Sequence, residues 1–404
     1  MKKSAKVSLA LALMMGVVGG AQIASMNTAS AEISDKFKME MNGVISYKSV
    51  NDTSSLDSYA PTKTNGRTAN HYWSNYYRVV LNYYQDKNVS AQFRIHSGYD
   101  TAGDFIRNTN YYVNPYYNKD SSSNYNGKMF MDRAYVQLKD PVAKATYKVG
   151  KMGSYLGQGM VFNSTGNHTG VMASLGNWWE PNNVDFFWWD NTSGKTERGI
   201  NAHVGVAKNV TLSALYIATR NGKAPATSIE LTKDNQKALK KLIDQGKGYV
   251  KNSYYTSYQE ANYKSKILAI GAQAKLPAVT LVGEVAHNME GSNVQKGQSG
   301  NRKAWYLEAY TGPTSDMTSG LPLQKPGTSV WSLKYQDIGY QGTTGSHNPT
   351  FIDNVRGFRL TYGHTFRKGL AGDIAWGRYK EKFTNKSKNS WDNIIVGEIS
   401  FKFK

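Results

Sequence analysis

The chain has 404 residues, a formal net charge of +20, 28 tyrosines, 9 tryptophans, 38 glycines and no cysteine. The lack of cysteine excludes a disulfide framework and a thiolate metal centre, and nothing after the leader is apolar for the roughly 20 residues that a membrane-spanning helix needs. In a soluble secreted protein such a basic excess points to nucleic acid or acidic glycans; in a membrane barrel it suits lipid headgroups at the rim or an anion preference inside a pore.

Lys2, Lys3 and Lys6 precede an apolar stretch from Val7 to about Ala21, and Ala29-Ser30-Ala31 follows as a small-x-small cleavage pattern. Residues 1–31 therefore read as a secretory signal peptide cut after Ala31, and 32–404 as one domain. From there the dominant signal is alternation with period two. Met39, Met41, Gly43, Ile45 and Tyr47 share one face, and Lys38, Glu40, Asn42, Ser46 and Lys48 the other, as successive side chains of a strand must. Tyr77, Val79, Leu81 and Tyr83 form the next apolar face, Gln85-Asp86-Lys87-Asn88 turns, and Ala91, Phe93 and Ile95 return. The same pattern places strands at 36–48, 72–84, 88–99, 128–139, 144–152, 168–176, 183–190, 198–207, 209–219, 264–276, 278–290, 302–311, 328–340, 353–366, 370–382 and 391–403.

Short links at 85–88, 140–143, 208–209, around Pro277 and at 367–369 alternate with long polar ones at 49–71, 100–127, 220–263, 291–301, 341–352 and 383–390. This predicts an all-β fold, a transmembrane antiparallel β-barrel of about 16 strands with short periplasmic turns and long external loops. Parity requires a descending strand between Gly153 and Glu180, and it makes 312–327 a periplasmic link of unexpected length. Ala238, Leu239, Leu242 and Ile243 sit at helical spacing in 228–246, within the long loop 220–263, with Gly246 as the stop. Ile395, Gly397, Ile399, Phe401 and Phe403 form a final strand that would close on the first and remove exposed edges.

Asp132-Arg133-Ala134-Tyr135-Val136-Gln137-Leu138 followed by Tyr147-Lys148-Val149-Gly150-Lys151 resembles the fourth and fifth strands of general outer-membrane porins. The run from Lys325 to Ile338, with Asn354-Val355-Arg356-Gly357-Phe358 and the hairpin after it, is similar to porins of didermic Firmicutes, the Negativicutes. The resemblance implies a sixteen-stranded barrel, often a homotrimer, whose third external loop folds inward and narrows the pore. Its implied partners are outer-membrane lipid, the barrel-assembly machinery and small hydrophilic solutes. Many such relatives begin with an SLH domain; here a strand at Lys36 follows the cleavage site almost directly, so no wall tether is expected. Lys404 follows Phe403, where such barrels usually end on an aromatic residue.

If the apolar faces meet lipid, the opposite set lines water. Arg78, Arg94, Arg133 and Lys148 then form a basic wall, with neighbouring strands about 4.8 Å apart; these are the positions that match the basic ladder of general porins. Glu284, Glu308, Lys334 and Arg359 face the pore elsewhere, where the acids pair with the bases. The constriction loop would be 153–167, carrying Tyr155, Gln158 and Asn163 and no Asp or Glu. A basic wall opposite an uncharged loop favours anions weakly. The aromatic clusters Tyr72, Trp73, Tyr76, Tyr77 and Trp178, Trp179, Trp188, Trp189 read as interfacial girdles.

Three other readings stay open: a sugar- or oligosaccharide-specific channel, a structural or adhesive surface barrel, and an enzyme in a barrel. The seven histidines are scattered, with no Ser/His/Asp grouping. No catalytic, cofactor, metal or nucleic-acid motif stands out; the glycine strings near 150–159 follow a strand but open no helix.

Overall fold

A computed structural model of the chain describes residues 36–50, 71–100, 129–176, 182–191, 195–222, 227–229, 249–251, 256–258, 263–290, 302–339, 341–344, 351–352, 355–382 and 391–403. Sixteen strands close into one barrel. They are β1 Phe37–Val50, β2 His71–Tyr84, β3 Val89–Asp100, β4 Met129–Asp140, β5 Ala145–Leu156, β6 Phe162–Gly176, β7 Asn183–Asn191 and β8 Thr196–Ala207. The second half is β9 Val210–Gly222, β10 Tyr263–Lys275, β11 Thr280–Glu290, β12 Lys303–Tyr310, β13 Ser329–Ile338, β14 Val355–Arg367, β15 Leu370–Glu381 and β16 Asp392–Phe403. Each strand pairs antiparallel with its chain neighbours, and β1 closes on β16 with Met41 opposite Phe403 and Ile45 opposite Ile399. Closure leaves no strand edge to pair with another chain.

Burial is inverted relative to a soluble protein. Along β13, Trp331, Leu333 and Tyr335 point outward while Ser332, Lys334 and Gln336 point inward. Leu333 is 52% exposed and Lys334 only 7%. Met39, Met41 and Ile45 on β1 and Ile374 and Trp376 on β15 continue the exposed apolar surface. Exposed leucine beside buried lysine reverses the usual preference in water and is what a lipid-facing barrel requires.

The short turns use local acceptors. The Asp86 carboxylate accepts the N–H groups of Asn88 and Val89 at 2.7 and 2.9 Å, and these bonds hold its carboxyl below the usual aspartate range. Asp140 does the same for Val142 and Ala143 at 2.9 and 3.0 Å. Such side-chain turns pre-form the reversal and fix the register of the hairpin.

The descending strand demanded by parity is β6, and it starts at Phe162, earlier than alternation suggested. The stretch read as a loop over 153–167 is largely strand: β5 and β6 keep pairing at Ser154–Ser164, Tyr155–Asn163 and Leu156–Phe162 after a register shift. It escapes the lipid-type pattern because this part of the hairpin has left the wall and has protein on one face and the lumen on the other. Of the helix expected at 228–246, Ser228 and Ile229 instead belong to a short strand, Thr227–Ile229, paired with Thr256–Tyr258, which in turn pairs with Tyr249–Lys251. The rest of that helix, the signal peptide, and Trp178 and Trp179 lie outside the described residues.

Candidate pore constriction

The β5–β6 hairpin lies against the inner wall. Leu156, Met160, Val161 and Phe162 are fully buried and pack with Leu215 and Ile217 of β9, Ile267 and Ala269 of β10, Ala286 of β11 and Tyr306 of β12. Burying four such side chains stabilises the docked hairpin by roughly 1.5–3 kcal/mol each, as an upper bound.

Polar bonds fix the tip. Glu284 of β11 accepts the Gln158 and Met160 N–H groups at 3.2 and 2.9 Å. Asn201 of β8 accepts the Gly157 N–H at 2.8 Å, and the Tyr306 hydroxyl donates to the Gln158 carbonyl at 2.9 Å. The Gln158 amide donates to Ser213 at 3.1 Å. From the long-connection end, the Thr344 hydroxyl donates to the Val161 carbonyl at 2.8 Å. Gly157 has φ +59°, and a Cβ there would lie 2.1 Å from a Glu284 oxygen. Only glycine fits both the left-handed backbone and the close approach.

This changes several expected roles. Tyr155 and Asn163, cross-strand partners, are the hairpin residues left on its open side, with Tyr155 47% exposed. Gln158 does not face solutes; it is buried in the contact with the wall. Glu284 is not bathed by the pore, because the hairpin tip covers it and uses its oxygens. Glu308 and Lys334 face inward and pair at 3.3 Å, with Ser332 donating to Glu308 at 2.5 Å. Arg359 follows beside Lys334 in register and donates to Thr361 at 3.3 Å. Trp188 points outward, whereas Trp189 is buried inside, stacked on Phe187 with centroids 4.3 Å apart. Trp189 is therefore not part of a girdle; its indole N–H donates to Glu197 at 2.9 Å.

The four basic residues come together on the inner face of β2–β5. Arg94 lies directly opposite Arg133, Arg78 is opposite His96 on the same face, and Lys148 is opposite Gln137. Two like charges face to face would repel. A bulge relieves this: the register shifts between Arg94 and Ile95, which turns Asp132 inward beside Arg133. Asp132 forks the Arg94 guanidinium at 2.7 and 2.5 Å, the bidentate geometry that makes such pairs strong. Arg133 donates to Gln92 at 3.2 Å, the Lys148 ammonium lies 5.5 Å from the Tyr135 ring, and the Arg78 guanidinium 4.3 Å from the Tyr76 ring.

Sequence reasoning missed Asp132, since strict alternation puts it on the lipid side, and it missed the dock made by Asn201, Ser213, Glu284 and Tyr306. One signal was present. Leu212 to Ile217 and Ile267 to Ile270 are apolar on both faces, the mark of a strand covered on both sides. A wall that needs an apolar inner face needs something inside to cover it.

Compared by sequence, the chain matches no protein-family model and no curated protein. Compared by structure, it is similar to engineered variants of the Rhodopseudomonas blastica porin. One double variant is 12% identical with a TM-score of 0.48, and two triple variants are 14% and 12% identical, each with 0.47. Each likeness covers 91% of this chain and 100% of the other.

Proposed function

We propose that the protein is an outer-membrane porin, exported by the leader 1–31, through which small hydrophilic solutes and ions diffuse passively with a weak anion preference. The observation that carries this reading is the closed sixteen-strand barrel with lipid-type residues outside and charged residues inside. Barrels of this size leave room for an aqueous channel. The hairpin tip rests on β8, β9, β11 and β12, away from the β2–β5 wall that carries Arg78, Arg94, Arg133 and Lys148. Tyr155 and Asn163 then narrow the passage opposite a basic wall, with no acid of the hairpin itself to balance it. Asp132 offsets Arg94, which keeps the preference weak. A homotrimer assembled by the barrel-assembly machinery, held in outer-membrane lipid and without cofactor, is the form in which we expect it to work.

Purified, folded protein in planar bilayers tests the reading. Under a chloride gradient the reversal potential should take the anion-favouring sign, and liposome swelling should fall smoothly with sugar size. A cation-favouring sign overturns the preference. Conductance near zero overturns the channel and favours an adhesive barrel. Swelling by one class of sugar alone favours a substrate-specific pore.

A further inference from the structure

The link between β12 and β13, on the short-turn end of the barrel, also enters the lumen. Met317 and Leu321 are buried against Val330 of β13 and Ala371 of β15. The Thr365 hydroxyl of β14 donates to the Leu321 carbonyl at 2.9 Å, and the Ser400 hydroxyl of β16 to the Met317 carbonyl at 3.2 Å. The Gly369 N–H reaches the Pro322 carbonyl at 2.9 Å. The wall is cut back where this segment rests: a Cβ on Gly363 would lie 2.7 Å from both Leu321 and Met317 side-chain atoms. A link that merely turned outside the barrel would need neither the apolar seat nor the missing side chain.

Its tip is rigid and carries one acid. Asp316 accepts the Thr318 and Ser319 N–H groups at 3.2 and 2.9 Å, and both of their hydroxyls. Ser400, which holds the Met317 carbonyl, lies opposite Val44 of β1, and Val44 lies opposite Tyr76 of β2, whose ring lies against Arg78. The tip is thus seated two strands along the wall from the start of the basic wall. Of the other inward acids, Glu284 is engaged by the hairpin backbone, Glu308 by Lys334, Asp132 by Arg94 and Glu398 by Ser46, and Asp373 is buried opposite Gly363. Asp316 is exposed, so its field reaches whatever passes.

We propose that residues 311–328 form a second constriction element, inserted from the short-turn end, and that Asp316 is a charge-selectivity determinant, the acidic counterpole of the basic wall. The proposal rests on the channel reading above. The basic pole lies on the barrel wall, the acidic pole on an element inserted from the short-turn end, and the hairpin carries no acid. Passing anions are drawn to Arg133 and Lys148 and repelled by Asp316, which limits the anion preference that the wall alone would impose.

The test uses the full chain in planar bilayers under a KCl gradient. Asp316→Asn keeps an oxygen for the turn and removes the charge. Its chloride-to-potassium permeability ratio should rise about two-fold at ~0.15 M salt, and the rise should shrink at ~1 M as screening shortens. Asp86→Asn, at an exposed turn outside the lumen, should leave the ratio unchanged. Gly363→Leu, which fills the seat of the inserted segment, should raise single-channel conductance. If wild type conducts and Asp316→Asn leaves the ratio unaltered, or Asp86→Asn moves it equally, the role of Asp316 is overturned. If Gly363→Leu folds and conducts like wild type, the second constriction is overturned. Absence of any wild-type conductance overturns the channel reading instead.

Discussion

Replacing Glu284 with alanine tests the docked hairpin directly. Glu284 is buried and accepts the Gln158 and Met160 N–H groups at 3.2 and 2.9 Å. Leaving a buried donor without a partner costs about 1–3 kcal/mol. Two orphaned donors give a central cost of about 4 kcal/mol, which weakens docking about 10³-fold at ~1.4 kcal/mol per decade. Leu156, Met160, Val161 and Phe162 still hold the hairpin by apolar burial, so it stays docked on average and opens more often. Hydrogen exchange in detergent or lipid should quicken at residues 157–161 while amides of the wall strands keep their protection. Single-channel records should show added fluctuation between conductance levels. Glu284→Gln, which keeps one acceptor, should give roughly half the free-energy effect. Unchanged exchange at Gln158 and Met160 in a folded Glu284→Ala barrel would refute the assignment of Glu284 as the dock.

Three further outcomes follow from the same geometry. Gly157→Ala should release the tip as Glu284→Ala does, and the double variant should be less than additive, because one clash and one lost acceptor act on the same contact; additive exchange effects would argue against it. Asp132→Ala leaves Arg94 opposite Arg133 without their buried counter-charge. It should destabilise the barrel by about 3–5 kcal/mol and shift the reversal potential towards anions, measured by denaturant unfolding and in bilayers; an unshifted potential would remove Asp132 from the pore's electrostatics. Leu333→Arg puts a charge on the outer face of β13, and should cost about 2–4 kcal/mol if that site lies near mid-bilayer. Unfolding from lipid vesicles checks this, and a value no larger than that of Leu333→Ala would show that the face does not meet hydrocarbon.

Much of this architecture was legible in the chain. Period-two alternation in segments such as Met39 to Tyr47 and Val330 to Ile338 states both the strand and its lipid side, because a lipid-facing wall imposes one polarity on every second residue. Link lengths alternated short and long, and parity alone required β6 where the local pattern was poor. The inner face was less readable. Its residues answer to what covers them, and the cover arrives from elsewhere: the hairpin tip on β8 to β12, and the β12–β13 link on β13 to β16. That is why Gln158 and Glu284 read as pore residues and fold as a buried contact, and why Asp132, displaced by a bulge, was missed.

By itself, then, the sequence determined the barrel: the number of strands, their order, and most of the side chains that meet lipid follow from local alternation and chain connectivity. Tertiary structure alone decided the interior. Whether Arg94 is paired, whether Glu284 meets water, and where Asp316 stands depend on side chains brought together across 38 to well over 100 residues of chain, and no local period records a contact of that span.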